Sequence, residues 1–139
     1  MVQAMESLKK IFYLPSEKKD PFFSIARNIY NILNTRSSLP VSQFLENQNL
    51  NTLHFGIPCV SHFAMDSEHD RFLLCQIVQK SLQVFEHRLS YVEVDFSVYD
   101  KLKKEAKLSI NAVYHSGNVK VNLLLKVALW EFIINDWKI

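Results

Sequence analysis

The spacing of apolar residues along this chain changes three times. Phe22, Ile25, Ala26, Ile29, Ile32 and Leu33 recur at three- and four-residue steps, so they share one face of a helix expected to end near Arg36. Residues 37–66 contain Pro40, Gly56 and Pro58 and read as irregular, with a short helix over Val41–Glu46. Helical spacing returns from Ser67. Leu73, Leu74, Ile77, Val78, Leu82 and Phe85 form an apolar face that should run to about Arg88. Ser67 and Asp70 resemble a capping box at its start, each serving an otherwise unpaired backbone N–H.

The period then becomes two. Val92, Val94, Phe96 and Val98 alternate with Tyr91, Glu93, Asp95 and Ser97, as in a strand with one wet face. Leu108, Ile110, Ala112 and Tyr114 predict a second strand, and His115-Ser116-Gly117-Asn118 a turn. Val119, Val121, Leu123, Leu125, Val127 and Leu129 predict one long third strand. Leu124, Ala128 and Trp130 make parts of its other face apolar, which suits a surface covered by partners. Trp130, Phe132 and Trp137 read equally as core residues and as interface anchors. The expected architecture is α+β, with two main helices on one face of a three-stranded antiparallel sheet. Residues 1–21 are expected to form an N-terminal arm that docks through Leu8, Ile11, Phe12 and Leu14, and 22–139 a single domain.

Composition narrows the chemistry. Only two of the 139 residues are glycine, and phosphate-cradling loops and strained nucleophile turns need glycine where backbone approaches a ligand. A net charge of +2 gives little pull toward nucleic acid. The one basic cluster, Lys101, Lys103, Lys104 and Lys107, is interrupted by Glu105, has no interleaved aromatic and reads as a solvated loop or strand entry. Cys59 and Cys75 have apolar neighbours and are expected to be free, buried thiols in a reducing compartment. Cys59 and His62 have ligand-like spacing, but a second pair is missing, so no metal and no cofactor are expected. The start MVQAMESLKKIF lacks the apolar core of a signal peptide, and Leu123–Leu125 is far too short to span a membrane, so a cytoplasmic location is expected. Glu86, Glu93 and Asp95 could supply the two carboxyls of a cell-wall glycan hydrolase, but nothing glycine-rich shapes a cleft beside them.

Phe85-Glu86-His87-Arg88-Leu89 is the most informative segment. A glutamate at a helix C-terminus faces the negative end of the dipole, so Glu86 should find a compensating contact. That contact is either a salt bridge inside the domain, for which Arg36 is a candidate, or a bidentate clamp on another subunit involving Glu86 and Arg88. Residues two apart on a helix do not face each other, which argues against pairing between these two.

Three segments in order resemble a known family: Ile32-Leu33-Asn34-Thr35-Arg36, Phe55-Gly56-Ile57-Pro58 and Phe85-Glu86-His87-Arg88-Leu89. The chain over roughly 22–134 resembles TssE, the type VI secretion baseplate protein, and the contractile-phage wedge protein that initiates the sheath. The family pattern there is Leu-Leu-Asn-Thr-Arg, Tyr-Gly-Leu-Pro and Glu-Pro-Arg-Leu. This chain departs from it with His87 for proline, Ser37 and Ser38 after Arg36, and Cys59 for an acidic residue. The resemblance implies a structural protein without catalytic residues, in a cytoplasmic complex docked at the inner face of the cell envelope. It implies contacts with TssF/TssG-like wedge proteins and with sheath subunits, and neither nucleic acid, membrane insertion nor a small-molecule substrate. By the same implication, partner binding falls to Glu86, Arg88, Leu89, Asn34, Thr35 and Arg36. The alternatives are a phage tail baseplate protein, the glycan hydrolase, and an adaptor unrelated to contractile machines.

Overall fold

The structure, a computed structural model, describes residues 21–138. The expected arm lies outside them except for Pro21, which opens helix α1 (Pro21–Leu33). Proline suits that position because the first N–H of a helix has no intrahelical partner. Phe22, Ile25, Ile29, Ile32 and Leu33 are fully buried, as their spacing requires. A short helix α2 (Val41–Glu46) follows and is anchored from outside. The Lys80 ammonium donates to the backbone oxygens of Leu45 and Asn47, both at 2.7 Å, at the end where helix carbonyls lack partners.

Helix α3 (Glu68–Phe85) begins where Ser67 Oγ accepts the Asp70 N–H at 3.3 Å. The capping box is only half formed. The Asp70 carboxylate accepts the Ala64 N–H at 2.8 Å and so braces the preceding turn instead of answering Ser67. The helix stops at Phe85, short of the expected Arg88, and Glu86 already has non-helical backbone angles (φ −124°, ψ 87°).

The sheet has four strands, not three. β1 (Tyr91–Asp100), β2 (Glu105–Tyr114), β3 (Gly117–Lys126) and β4 (Glu131–Lys138) pair antiparallel in that order. The long third strand read from the sequence ends at Lys126 and reverses through residues 127–130. This turn contains no glycine, proline or asparagine. Trp130 itself adopts the left-handed conformation (φ 51°), a role an indole side chain does not advertise. Leu129 is therefore at a turn and exposed, whereas Phe132 and Trp137 are in the core and Trp130 packs against it.

Register explains the core. Ala106, Leu125 and Phe132 line up across the sheet, as do Leu108, Leu123 and Ile134, and Val94, Ile110, Val121 and Trp137. All are buried beneath the helices. The other face is mostly polar, apart from a small apolar pair of Leu124 and Ile133.

The β2–β3 hairpin turns on His115 and Ser116, both with positive φ (51° and 67°). Two-residue turns of this hand favour Asn-Gly, because other residues are strained there. Replacing His115 by Asn and Ser116 by Gly should raise stability by about 1 kcal/mol, which thermal melts would show. An unchanged or lower melting temperature would show that the turn is unstrained.

Candidate functional site

The three sequence segments meet along α1. Asn34, Thr35 and Arg36 leave the C-terminus of that helix and form a clip. Asn34 Nδ2 donates to the Phe132 oxygen at 2.9 Å, and Asn34 Oδ1 accepts the Phe132 N–H at 2.8 Å. The carboxamide thus imitates a neighbouring strand and occupies the outer edge of β4 there. Arg36 donates to the Trp130 oxygen at 2.7 Å and the Leu33 oxygen at 3.2 Å, so it fixes the β3–β4 turn and caps α1. Thr35 Oγ1 donates to the Asn31 oxygen at 2.6 Å.

The Phe55–Pro58 loop lies against this clip. Ile57 N–H donates to the Thr35 oxygen at 2.9 Å and Ser37 N–H to the Ile57 oxygen at 2.8 Å, giving a parallel bridge between Arg36 and Ile57. Gly56 makes the approach possible. Its φ is +107°, and a Cβ there would lie 2.3 Å from the Thr35 oxygen. The loop also reaches the third segment, since the Phe55 and Phe85 rings are 5.3 Å apart.

At that end Glu86 is 1% exposed and has several donors. Oε2 accepts the Arg88 Nε at 2.8 Å and the Arg88 backbone N–H at 3.0 Å. Oε1 accepts Arg88 Nη2 at 2.7 Å and Asn28 Nδ2 at 2.9 Å. The intradomain bridge therefore runs to Arg88 and not to Arg36. The two residues can pair because Glu86 is outside the helix, where the chain bends and the i, i+2 geometry of a helix no longer applies. Burial alone would raise the Glu86 pKa; the hydrogen bonds from Arg88 and Asn28 outweigh it and hold the carboxyl below its ordinary value. Asn28 is a member of this cluster that sequence reasoning missed. It sits one turn after Ser24 on the helix, and only this polar spacing marked it.

Arg88 is the outward-facing member. Its side chain is 45% exposed, and Nη1 reaches Ser24 Oγ at 2.8 Å. Thr35 and Arg36 are also exposed, Asn34 is half-buried, and Leu89 is buried in the core.

An open depression of about 980 Å³ between residues 37–46 and 59–73 gathers Cys59, His62, His69 and Asp70. No group of three or more His, Cys, Asp or Glu among the described residues could hold a metal ion. Both cysteines are free, but Cys59 is exposed, not buried. A hydrogen bond with Ser61, helped by the positive charge of Arg36, lowers its pKa. Cys75 is half-buried, and burial with the nearby Asp95 pushes it up to about 11. The acids considered for glycan hydrolysis do not line this depression: Glu86 is in its ion pair, and Glu93 and Asp95 alternate with the buried residues of β1.

The sequence profile of the baseplate wedge protein gp25 family matches residues 23–119, which include all three segments. The chain belongs to that family, which includes TssE. No curated protein and no solved structure matches it. The role of this gp25-family chain is structural, in the baseplate of a contractile injection machine, where it contacts other baseplate or tail proteins. Among the described residues, no helix is long and apolar enough to cross a membrane.

Proposed function

We propose that this gp25-family protein is the wedge component of a type VI-like baseplate that grips TssF/TssG-like proteins and starts the sheath. It acts by binding and without catalysis, in a cytoplasmic complex at the inner face of the cell envelope. The observation that supports this most is the buried carboxylate of Glu86 holding a half-exposed guanidinium at the surface. Glu86 has no exposed surface to offer a partner, so its part is to orient Arg88. A guanidinium held in a plane by its neighbour presents its remaining donors in one direction, which favours a carboxylate or backbone oxygens of fixed geometry. Asn34, Thr35 and Arg36 brace the other end of α1, and the Phe55–Pro58 loop links the two ends.

The sheath reading rests on the sheet edges. β4 is blocked at Phe132 by Asn34. On β1 the Val94 N–H points off the sheet and meets Gln79 Oε1 at 3.4 Å. From Phe96 to Asp100 the outer side of β1 has no backbone partner among the described residues, and it can accept a strand from another chain. Val121 lies in β3, which is paired on both sides.

Co-expression with the wedge proteins tests the grip. Arg88→Ala should weaken wedge binding by roughly 2–5 kcal/mol, and Arg88→Lys should recover little, because an ammonium lacks the bidentate fork. His87→Pro should bind normally, since the backbone already leaves the helix before that position. A folded Arg88→Ala protein that binds the wedge at full strength would remove the proposal.

A further inference from the structure

Two turns lie side by side at the end of the sheet that is remote in β1 from Arg88. The β1–β2 turn spans residues 101–104 and the β3–β4 turn residues 127–130, and the Val127 N–H donates to the Lys104 oxygen at 2.9 Å. Each turn projects a leucine into solvent: Leu102 is 98% exposed and Leu129 71%. Both turns are internally held. Asp100 Oδ1 accepts the N–H groups of Leu102 and Lys103 at 3.0 and 3.1 Å, and Arg36 fixes the Trp130 oxygen. Lys101, Lys103 and Lys104 are exposed around Leu102, and of the two carboxylates that flank the turn, Asp100 is directed at the turn's backbone and Glu105 is half-buried at the start of β2.

We propose that this end of the sheet docks on an acidic protein surface with apolar sockets for Leu102 and Leu129. Charge complementarity sets the sign of the partner: lysines ringing a leucine favour carboxylates around an apolar depression. Rigidity favours a protein over a lipid surface. The turns are braced to each other and to α1, so the two leucines keep a fixed separation. A preorganised pair gains affinity from a partner of matching shape, whereas a fluid bilayer gains nothing from fixed spacing. Lysines with long flexible stems add attraction and encounter rate without dictating geometry. This surface is distinct from the Arg88 corner, and its occupancy does not depend on the wedge contact.

The test uses the full chain with labelled leucine methyl groups, titrated with an amphipathic helical peptide that has leucine on one face and glutamate on the rest. A second peptide has glutamine in place of glutamate, and the third probe is a vesicle of phosphatidylcholine and phosphatidylglycerol. The expected result is saturable shifts at Leu102 and Leu129 with the acidic peptide. Binding should weaken about tenfold or more with the glutamine peptide, in high salt, and in Leu102→Asp. Leu102→Asp should melt like the wild type, since the side chain it removes touches little. Lack of saturable shifts with the acidic peptide, equal binding of both peptides, or binding to vesicles alone would each overturn the proposal.

Discussion

Replacing Glu86 by alanine should destabilise the domain by about 2–4 kcal/mol, the loss that follows when one member of a largely buried, hydrogen-bonded ion pair is truncated. The carboxylate is the common acceptor for Asn28, for Nε and Nη2 of Arg88 and for the Arg88 backbone N–H. Its removal deprives the Arg88 donors of this acceptor and leaves Asn28 only its 3.2 Å bond to the Phe85 oxygen, in a cluster that seals the end of α3 against α1. Arg88 is half exposed and can turn to water, which keeps the cost below that of a fully enclosed pair. The acid limb of the stability curve should report the same group. The folded-state pKa lies below the ordinary value of 4.5, so the contribution is complete above that value and is lost as the pH falls through the lower, folded one. Glu86→Gln should therefore flatten the decline of stability below about pH 4.5 while lowering stability at pH 7. Urea melts of the three proteins at pH 7 and in acid would measure both effects. A Glu86→Ala protein as stable as wild type at pH 7 would show that the cluster adds nothing to the fold.

Gly56→Ala should be still more damaging, at about 3 kcal/mol or more, because backbone strain and a steric clash add at one position. The added Cβ meets the Thr35 oxygen at 2.3 Å and its carbonyl carbon at 2.8 Å, neither of which is the yielding end of a side chain. Relief requires the Phe55–Pro58 loop to withdraw, which breaks the two hydrogen bonds joining Ile57 to Thr35 and Ser37. Gly117→Ala is the comparison. Its nearest neighbour, the Tyr114 oxygen, is 3.5 Å away, an ordinary contact, and its φ is not in the left-handed region, so the expected change is within about 1 kcal/mol. Melting temperatures of the two variants that coincide would refute the account of Gly56. The Gly56 variant should also lose wedge binding in proportion to the clip it disrupts.

How legible these features were in the sequence depended on whether the local signal agreed with the tertiary one. Helix α1, the body of α3 and the first two strands follow from apolar spacing alone, because one face of each is buried. β4 was hidden for two reasons. Its turn uses Trp130 in a left-handed conformation in place of a turn-forming residue, and a register irregularity between Asn122 and Leu123 interrupts the alternation opposite Ile134 and Asp136. The Glu86–Arg88 pair was legible as a problem and not as its solution. A helix running to Arg88 forbids the pairing, and the end at Phe85 permits it. Asn34 stood out in the motif, but its contact with Phe132 spans 98 positions, and no local pattern reveals a partner that far away.

That long span also dictates an order of events during synthesis. A ribosome delivers α1, with Asn34 at its end, long before it delivers Phe132. Until then the carboxamide has no strand to clasp, and the side of β3 that will receive β4 stays open. The nascent chain thus passes through an interval in which an interior strand behaves as an edge, with the pairing hazards of any unprotected edge. Closing that interval falls to the eight residues of β4, and the sheet is sealed only when this strand, made well after α1, reaches back to the residue that ends that helix.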